Sequence, residues 1–254
     1  MKTILIILTV FVLFNKFYAQ DDYMNLLALI ADEKYDKCLF KCEKYMANEK
    51  TKKDPLPYLY AAECYFYMSQ DHKYKDDYPK AFKSSLSYLG KYRKKDKSYE
   101  YKEDAEEFIE KIKFIILEDV ENNALAGTEK SAKKTASLMK KVIAFDPGDS
   151  GAKLLLGLNY ILSKNKTEGK KVVAEAFEEI KKIGTDRDFG EMTESQQTYL
   201  KTALMEYAKF QKEINPESAK ETISLGHPFF YEKRDDCLID DNSDFKALYD
   251  EITG

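Results

Sequence analysis

The sequence predicts an all-α fold, and three observations carry that expectation. Apolar residues recur at steps of three and four, as in Ala105, Phe108, Ile109, Ile112, Ile115, Ile116 and Val120, which is the spacing of one helix face. Ten glycines and six prolines in 254 residues are few for a loop-rich β protein, and several sit where the periodic runs break. Hydrophobic residues make up 44% and charged residues 34%, a balance that suits a folded globular chain rather than a disordered one.

Residues 1–19 read as an export signal rather than as fold. Lys2 supplies the positive start, and Ile4 to Phe14 is an apolar run too short for the ~20 residues that span a bilayer. Ala19 is a small residue at the expected cleavage point, and no cysteine follows to mark a lipoprotein. The ending Phe17-Tyr18-Ala19-Gln20 resembles signals of the Bacteroidetes. Removing Lys2 and Lys16 takes the net charge from −4 to −6. The mature chain, 20–254, is expected to be exported, periplasmic or secreted, with no membrane span and a monomeric state favoured.

Asp21 to Lys50 reads as two helices. Met24, Leu26, Leu27, Leu29 and Ile30 face one way on the first, and Tyr35, Cys38, Cys42, Tyr45 and Met46 on the second. A polar loop closed by Pro55 and Pro57 precedes an aromatic helix, Pro57 to Ser69. After the charged insertion Asp71 to Asp77 comes a helix with Ala81, Ser85, Tyr88 and Leu89, then a basic turn, Arg93 to Ser98. Glu103 to Asn122 is a long helix, Asn122 to Thr128 a loop, and Glu129 to Phe145 a helix ended by Pro147. Gly151 to Ser163 and Lys166 to Ile183 form the next pair. Thr193-x-x-Gln196 is a capping box that starts another helix. Pro216 opens a short helix ending near Gly226, His227 to Cys237 is irregular, and Asp244 to Ile252 is a final short helix.

The stretch Asp146-Pro147-Gly148, then Leu156-Gly157-x-x-Tyr160, then Gly169-x-x-x-Val173 resembles the tetratricopeptide repeat, whose 34-residue pattern carries L-G-x2-Y and A-x3-F. Glycine suits the close crossing of the two helices, and Tyr160 fills the space beside it. The small positions Cys38, Ala81, Thr135 and Gly169 align at intervals of 43, 54 and 34 residues. Only the last interval has the family's length; the first three repeats lack the L-G pair, and tryptophan is absent. The resemblance implies an α-α superhelical solenoid of paired helices. Its repeats would cover about 22–54, 55–98, 99–147, 148–183 and 193–226, with a capping segment at 227–254.

Little in the sequence points to catalysis. No G-x-S-x-G, H-E-x-x-H, Walker or Rossmann glycine pattern occurs, and His72 and His227 are isolated. Cys38 and Cys42 share a helix face but lack two further soft ligands at a metal-binding spacing. They read as small core residues; a disulfide from Cys38 or Cys42 to Cys64 is the other reading that export allows. The basic run Lys91 to Lys97 is expected to be a solvated turn, since the chain is acidic overall. The function expected is therefore non-enzymatic, with no cofactor, no metal and no nucleic acid.

The remaining signal is the apolar excess of the first helices. In the tetratricopeptide family these line a peptide-holding groove. By that resemblance Leu154, Leu158, Ile161 and Leu162 face the groove, as do Leu59, Glu63, Phe66 and Tyr67 in the earlier repeat. The alternative is that the C-terminal tail or a tight curl covers them. The clamp that grips C-terminal carboxylates uses Lys and Asn where this chain has Leu154 and Leu158, so that subtype is set aside. The expectation is a scaffold or adaptor of a bacterial envelope that binds apolar or amphipathic protein segments. The rival is a small-ligand or glycan-binding protein of nutrient uptake.

Overall fold

The computed structural model describes residues 23–186 and 188–254. The expected export signal lies outside the described residues, as does Arg187. Every regular element among the described residues is helical. The chain divides into two compact units, Met1–Ala105 and Glu106–Gly254.

In the first unit, residues 23–31 form α1, Tyr35–Ala47 α2, Leu56–Gln70 α3 and Ala81–Lys95 α4. Both α2 and α4 pack on α3. A helix with neighbours on two sides needs apolar residues on more than one face. Leu56, Leu59, Tyr60, Ala61, Ala62, Cys64, Phe66 and Met68 are accordingly all buried. Pro57 stands in the first turn, where a missing N–H breaks no helical bond.

The basic run Lys91–Lys97 departs from expectation. It is helical as far as Lys95, and Arg93 and Asp96 are buried. Asp96 accepts hydrogen bonds from the Tyr92 hydroxyl (3.0 Å), the Glu100 N–H (2.8 Å) and the Tyr101 N–H (3.1 Å). The Arg93 guanidinium lies over the Tyr99 ring, 3.4 Å from its centroid. One acid within a basic run thus anchors the chain entering the next helix.

That helix, α5, spans Lys102–Ala126, and the division between the units falls inside it. The expected loop Asn122–Thr128 is mostly its last turn. The helix stops at Gly127, whose φ of +59° is the left-handed conformation glycine adopts without strain.

The second unit continues with α6 (Glu129–Phe145), α7 (Ser150–Leu162), α8 (Lys166–Asp186), α9 (Glu194–Lys212), α10 (Pro216–Gly226) and α11 (Ser243–Thr253). Capping boxes start α6 and α9: Thr128 with Ser131, which lacks the Glu or Gln of the usual pattern, and Thr193 with Gln196, as expected. α7 packs on α6, α8 and α9. Its crossing with α8 is close at two glycines. A Cβ on Gly157 would stand 2.6 Å from Val173 Cγ2, and one on Gly169 2.8 Å from the Gly157 carbonyl oxygen. The crossing with α9 is closer still: a Cβ on Gly151 would stand 2.4 Å from the Leu200 backbone nitrogen.

The C-terminal segment is more regular than expected. His227–Tyr231 is a short π-helix rather than irregular chain. Its Phe229 stacks on Phe189 (4.8 Å between centroids), and Phe230 meets Phe245 of α11 (5.4 Å). α11 packs on α9 and α10. Buried Gln197 ties this segment down, accepting from the Leu238 N–H and donating to the Asp236 carbonyl.

Candidate functional site

One concave feature of the second unit is a groove between the C-terminal half of α5, α7 and α9; a separate recess of about 390 Å³ lies between α8 and α10, beside Phe177, Thr222 and Leu225. The groove's geometry follows from contacts at its closed end. Thr193 Oγ1 donates to Glu110 Oε1 (2.7 Å), and the Ser195 N–H donates to Glu110 Oε2 (2.9 Å). One turn on, the Tyr199 hydroxyl donates to the Lys113 carbonyl (2.8 Å). α5 and α9 therefore run in the same direction. So does α7: Asp149 at its N-cap ion-pairs with Lys113 (2.9 Å), and Leu158 and Leu162 further along it share a recess with Val120 and Ala124 of α5.

Lys113 is fully buried and also meets Asp146 Oδ2 (2.6 Å), which accepts from Gln196 Nε2 (3.1 Å). Asp149 further accepts from the Ala152 N–H (2.7 Å). Burial opposes the Lys113 charge, but Asp149 and Asp146 outweigh it and hold the ammonium above its usual range. Burial pushes the Asp149 carboxyl up to about 6 against the pull of Lys113. Burial, then Asp149 and Asp146, push the Tyr199 phenol upward. The cluster clamps the starts of α7 and α9 to the middle of α5. Nothing in the local sequence marks it, since Lys113 stands between apolar neighbours as any surface lysine can.

Beyond the clamp the three helices leave open space. A recess of about 160 Å³ is lined by Val120, Ala124, Thr128, Leu155, Leu158 and Leu162, with Glu129 and Glu206 at its polar margin. A second of about 440 Å³ shares Val120, Ala124 and Glu206 and adds Leu125, Met205 and Lys209, with Glu121 and Asp244. Leu125 is 87% exposed and Leu162 44%. Large apolar side chains beside a concave apolar floor are the usual marks of a recognition surface.

The expected groove residues divide. Leu158 and Leu162 line the first recess, whereas Leu154 is wholly buried and Ile161 lies against α8 beside Gly169. Tyr160 is half-buried, with the Lys140 ammonium 5.0 Å from its ring centroid, and Pro147 is exposed in the turn. In the first unit Leu59 and Phe66 are core residues, not surface. Tyr67 stacks on Tyr35 (5.3 Å). Glu63 is half-buried, and burial, then Cys38 and Asp104, push its carboxyl up to about 7. The α5 and α9 linings went unforeseen; Leu125 fell within the expected loop.

All four cysteines are free thiols, so neither bridge to Cys64 is present. No group of three or more Cys, His, Asp or Glu among the described residues is arranged to hold a metal ion. Among the described residues no helix is long and apolar enough to cross a membrane. No protein-family model matches the chain, and neither do any curated protein nor any solved structure.

Proposed function

We propose that this chain is a protein-binding scaffold whose α5–α7–α9 groove holds an amphipathic segment of a partner. The observation that carries the reading is the groove itself: an apolar floor, two accessible leucines at its margin and a mainly acidic rim. Glu121, Glu129, Glu206 and Asp244 border the recesses; Glu129 pairs with Lys133 and Lys164, Glu206 with Lys209 and Asp244 with Lys201, so a basic partner segment would compete with these lysines. A segment with apolar residues on one face and lysine or arginine beside them complements both features. A tetratricopeptide-like solenoid is part of the proposal. The parallel course of α5, α7 and α9 supports it, as does the Gly157–Gly169 crossing. Export is proposed on the sequence of residues 1–19.

The test is selection from a displayed peptide library, followed by titration of the enriched peptides against the purified chain. Amphipathic basic peptides are expected, with binding lost in Leu125→Lys and Leu162→Lys. No enrichment, or enrichment indifferent to both changes, would sink the proposal.

A further inference from the structure

Two lysine-rich stretches of the first unit, distant in sequence, meet at one end of it. The loop after α2 carries Lys50, Lys52 and Lys53, and the last turn of α4 with the chain just beyond it carries Lys94, Lys95 and Lys97. The Lys52 carbonyl joins them, accepting from the Lys95 ammonium (2.9 Å) and from the Tyr58 hydroxyl (3.1 Å). A carbonyl partner fixes Lys95 without cancelling its charge. Acids are fewer here. Glu49 pairs with Lys52, Asp54 accepts from the Tyr23 hydroxyl, Asp96 is buried, and Glu100 is exposed. Lys50, Lys53, Lys94 and Lys97 are exposed, and none of the four forms an ion pair among the described residues. The first unit thus presents an excess of positive charge at this end, on a chain whose net charge is −4.

We infer that this end of the first unit is a docking surface for the anionic headgroups of a lipid bilayer. Lysine suits such a surface, because mobile headgroups call for point charges rather than for the fixed fork of arginine. Arg93, the arginine of this region, is buried. Tyr99 is the second mark. It is held at φ +59°, rare for a residue with a side chain, and stands 48% exposed beside the lysines. A tyrosine in that place can sit at headgroup depth, its ring toward the acyl chains and its hydroxyl in water.

Nucleic acid is the other common polyanion, and the rings argue against it. Stacking of bases needs open ring faces. The Arg93 guanidinium covers one face of Tyr99, 3.4 Å from its centroid, and the Lys95 ammonium stands over Tyr58 at 5.3 Å. Contact with headgroups needs no free face.

The experiment titrates the full chain with vesicles of phosphatidylcholine alone and of phosphatidylcholine mixed with phosphatidylglycerol, and separates bound from free chain by flotation. The uncharged vesicles record whatever residues 1–19 contribute. Partitioning should be at least ~10-fold stronger onto the anionic vesicles and should weaken as salt rises. Each lysine near an anionic surface is worth ~5-fold, so Lys53→Gln, Lys94→Gln and Lys97→Gln together should remove most of that gain. A control that neutralises three exposed lysines of the second unit, Lys130→Gln, Lys170→Gln and Lys182→Gln, should keep it. The wild-type salt series needs no variant to fold. Equal partitioning onto both vesicles overturns the inference, as does retention of the gain by the first triple variant. An equal loss in the control also overturns it, by assigning the effect to net charge. So does tighter binding to a DNA or RNA oligonucleotide than to anionic vesicles at the same salt.

Discussion

Lys113 and Asp149 form an ion pair 2.9 Å long in which neither side chain reaches solvent. Taking two charges out of water is costly, and other groups offset part of that cost, although Asp149 Oδ2 has no hydrogen bond beyond the ion pair. Lys113 also meets Asp146, and Asp149 accepts from the α7 backbone. Removing one partner leaves the other buried and uncompensated, at a cost of about 3–5 kcal/mol. Lys113→Met should therefore lower chemical stability by that order. Lys113→Met combined with Asp149→Asn should lose less than the two single changes added together. Urea midpoints across this double-mutant cycle measure the coupling. Additive losses would show that the pair does not act as a unit.

The glycine crossings make a graded prediction. Gly151→Ala places a methyl 2.4 Å from α9 backbone, which cannot rotate away. Gly157→Ala meets Val173 at 2.6 Å, mainly through a side-chain methyl that can partly yield. Gly148 has no atom within 4 Å of an added Cβ. Overpacking costs about 1–3 kcal/mol or more. Thermal midpoints should fall in the order Gly151→Ala, then Gly157→Ala, with Gly148→Ala near wild type. Gly157→Leu should be worse than Gly157→Ala, and a wild-type midpoint for it would mean that α7 and α8 do not cross closely in solution.

These positions also show which features could be read from sequence. The α7–α8 crossing was legible because glycine at 157 and 169 has a periodic context that repeats the helix pair. The helix spans and the Thr193 cap were legible because they depend on local spacing. Gly151 was not, since its neighbour is a backbone some fifty residues away. Arg93 and Asp96 were expected to be solvated because a charged residue looks exposed until its partners are known, and Lys113 carries no local mark of its partners some thirty residues on. Half of the groove was missed because Asn122 to Ala126 reads as polar loop, while packing extends α5 through it.

Glu63 supplies a pH dependence. Burial, with Cys38 and Asp104 nearby, raises its folded pKa to about 7 from an ordinary value of 4.5. The folded chain therefore holds this proton more tightly than the unfolded chain. The stabilisation is complete below about pH 4.5 and is lost as pH rises through 7. At about 1.4 kcal/mol per pH unit it amounts to at most about 3.5 kcal/mol. Glu63→Gln keeps the shape without the charge. It should flatten the fall in stability between pH 4.5 and 7 and be more stable than wild type at pH 8. Parallel pH profiles for the two chains would contradict the assignment.

The groove prediction separates folding from binding. Leu125 and Leu162 are exposed, so Leu125→Lys and Leu162→Lys should alter stability by no more than about 0.5 kcal/mol. Leu158 is 4% exposed, and Leu158→Ala should cost about 2–5 kcal/mol of stability, which makes it a poor probe of binding. If the margin leucines anchor a partner segment, each lysine change should weaken binding by more than about 1 kcal/mol. Salt provides the second axis. Apolar contact is insensitive to screening, whereas the acidic rim around Glu121 and Glu206 is exposed to it. A basic amphipathic peptide should thus bind more weakly at high salt but not lose binding altogether. An uncharged variant of that peptide, with the same apolar face, should show almost no salt response. Titrations of both peptides at low and high salt against wild type and the two lysine variants make the comparison. Binding abolished by salt alone would mean that charge, not the apolar floor, holds the segment. Binding unchanged in both variants would locate the working surface away from α5, α7 and α9.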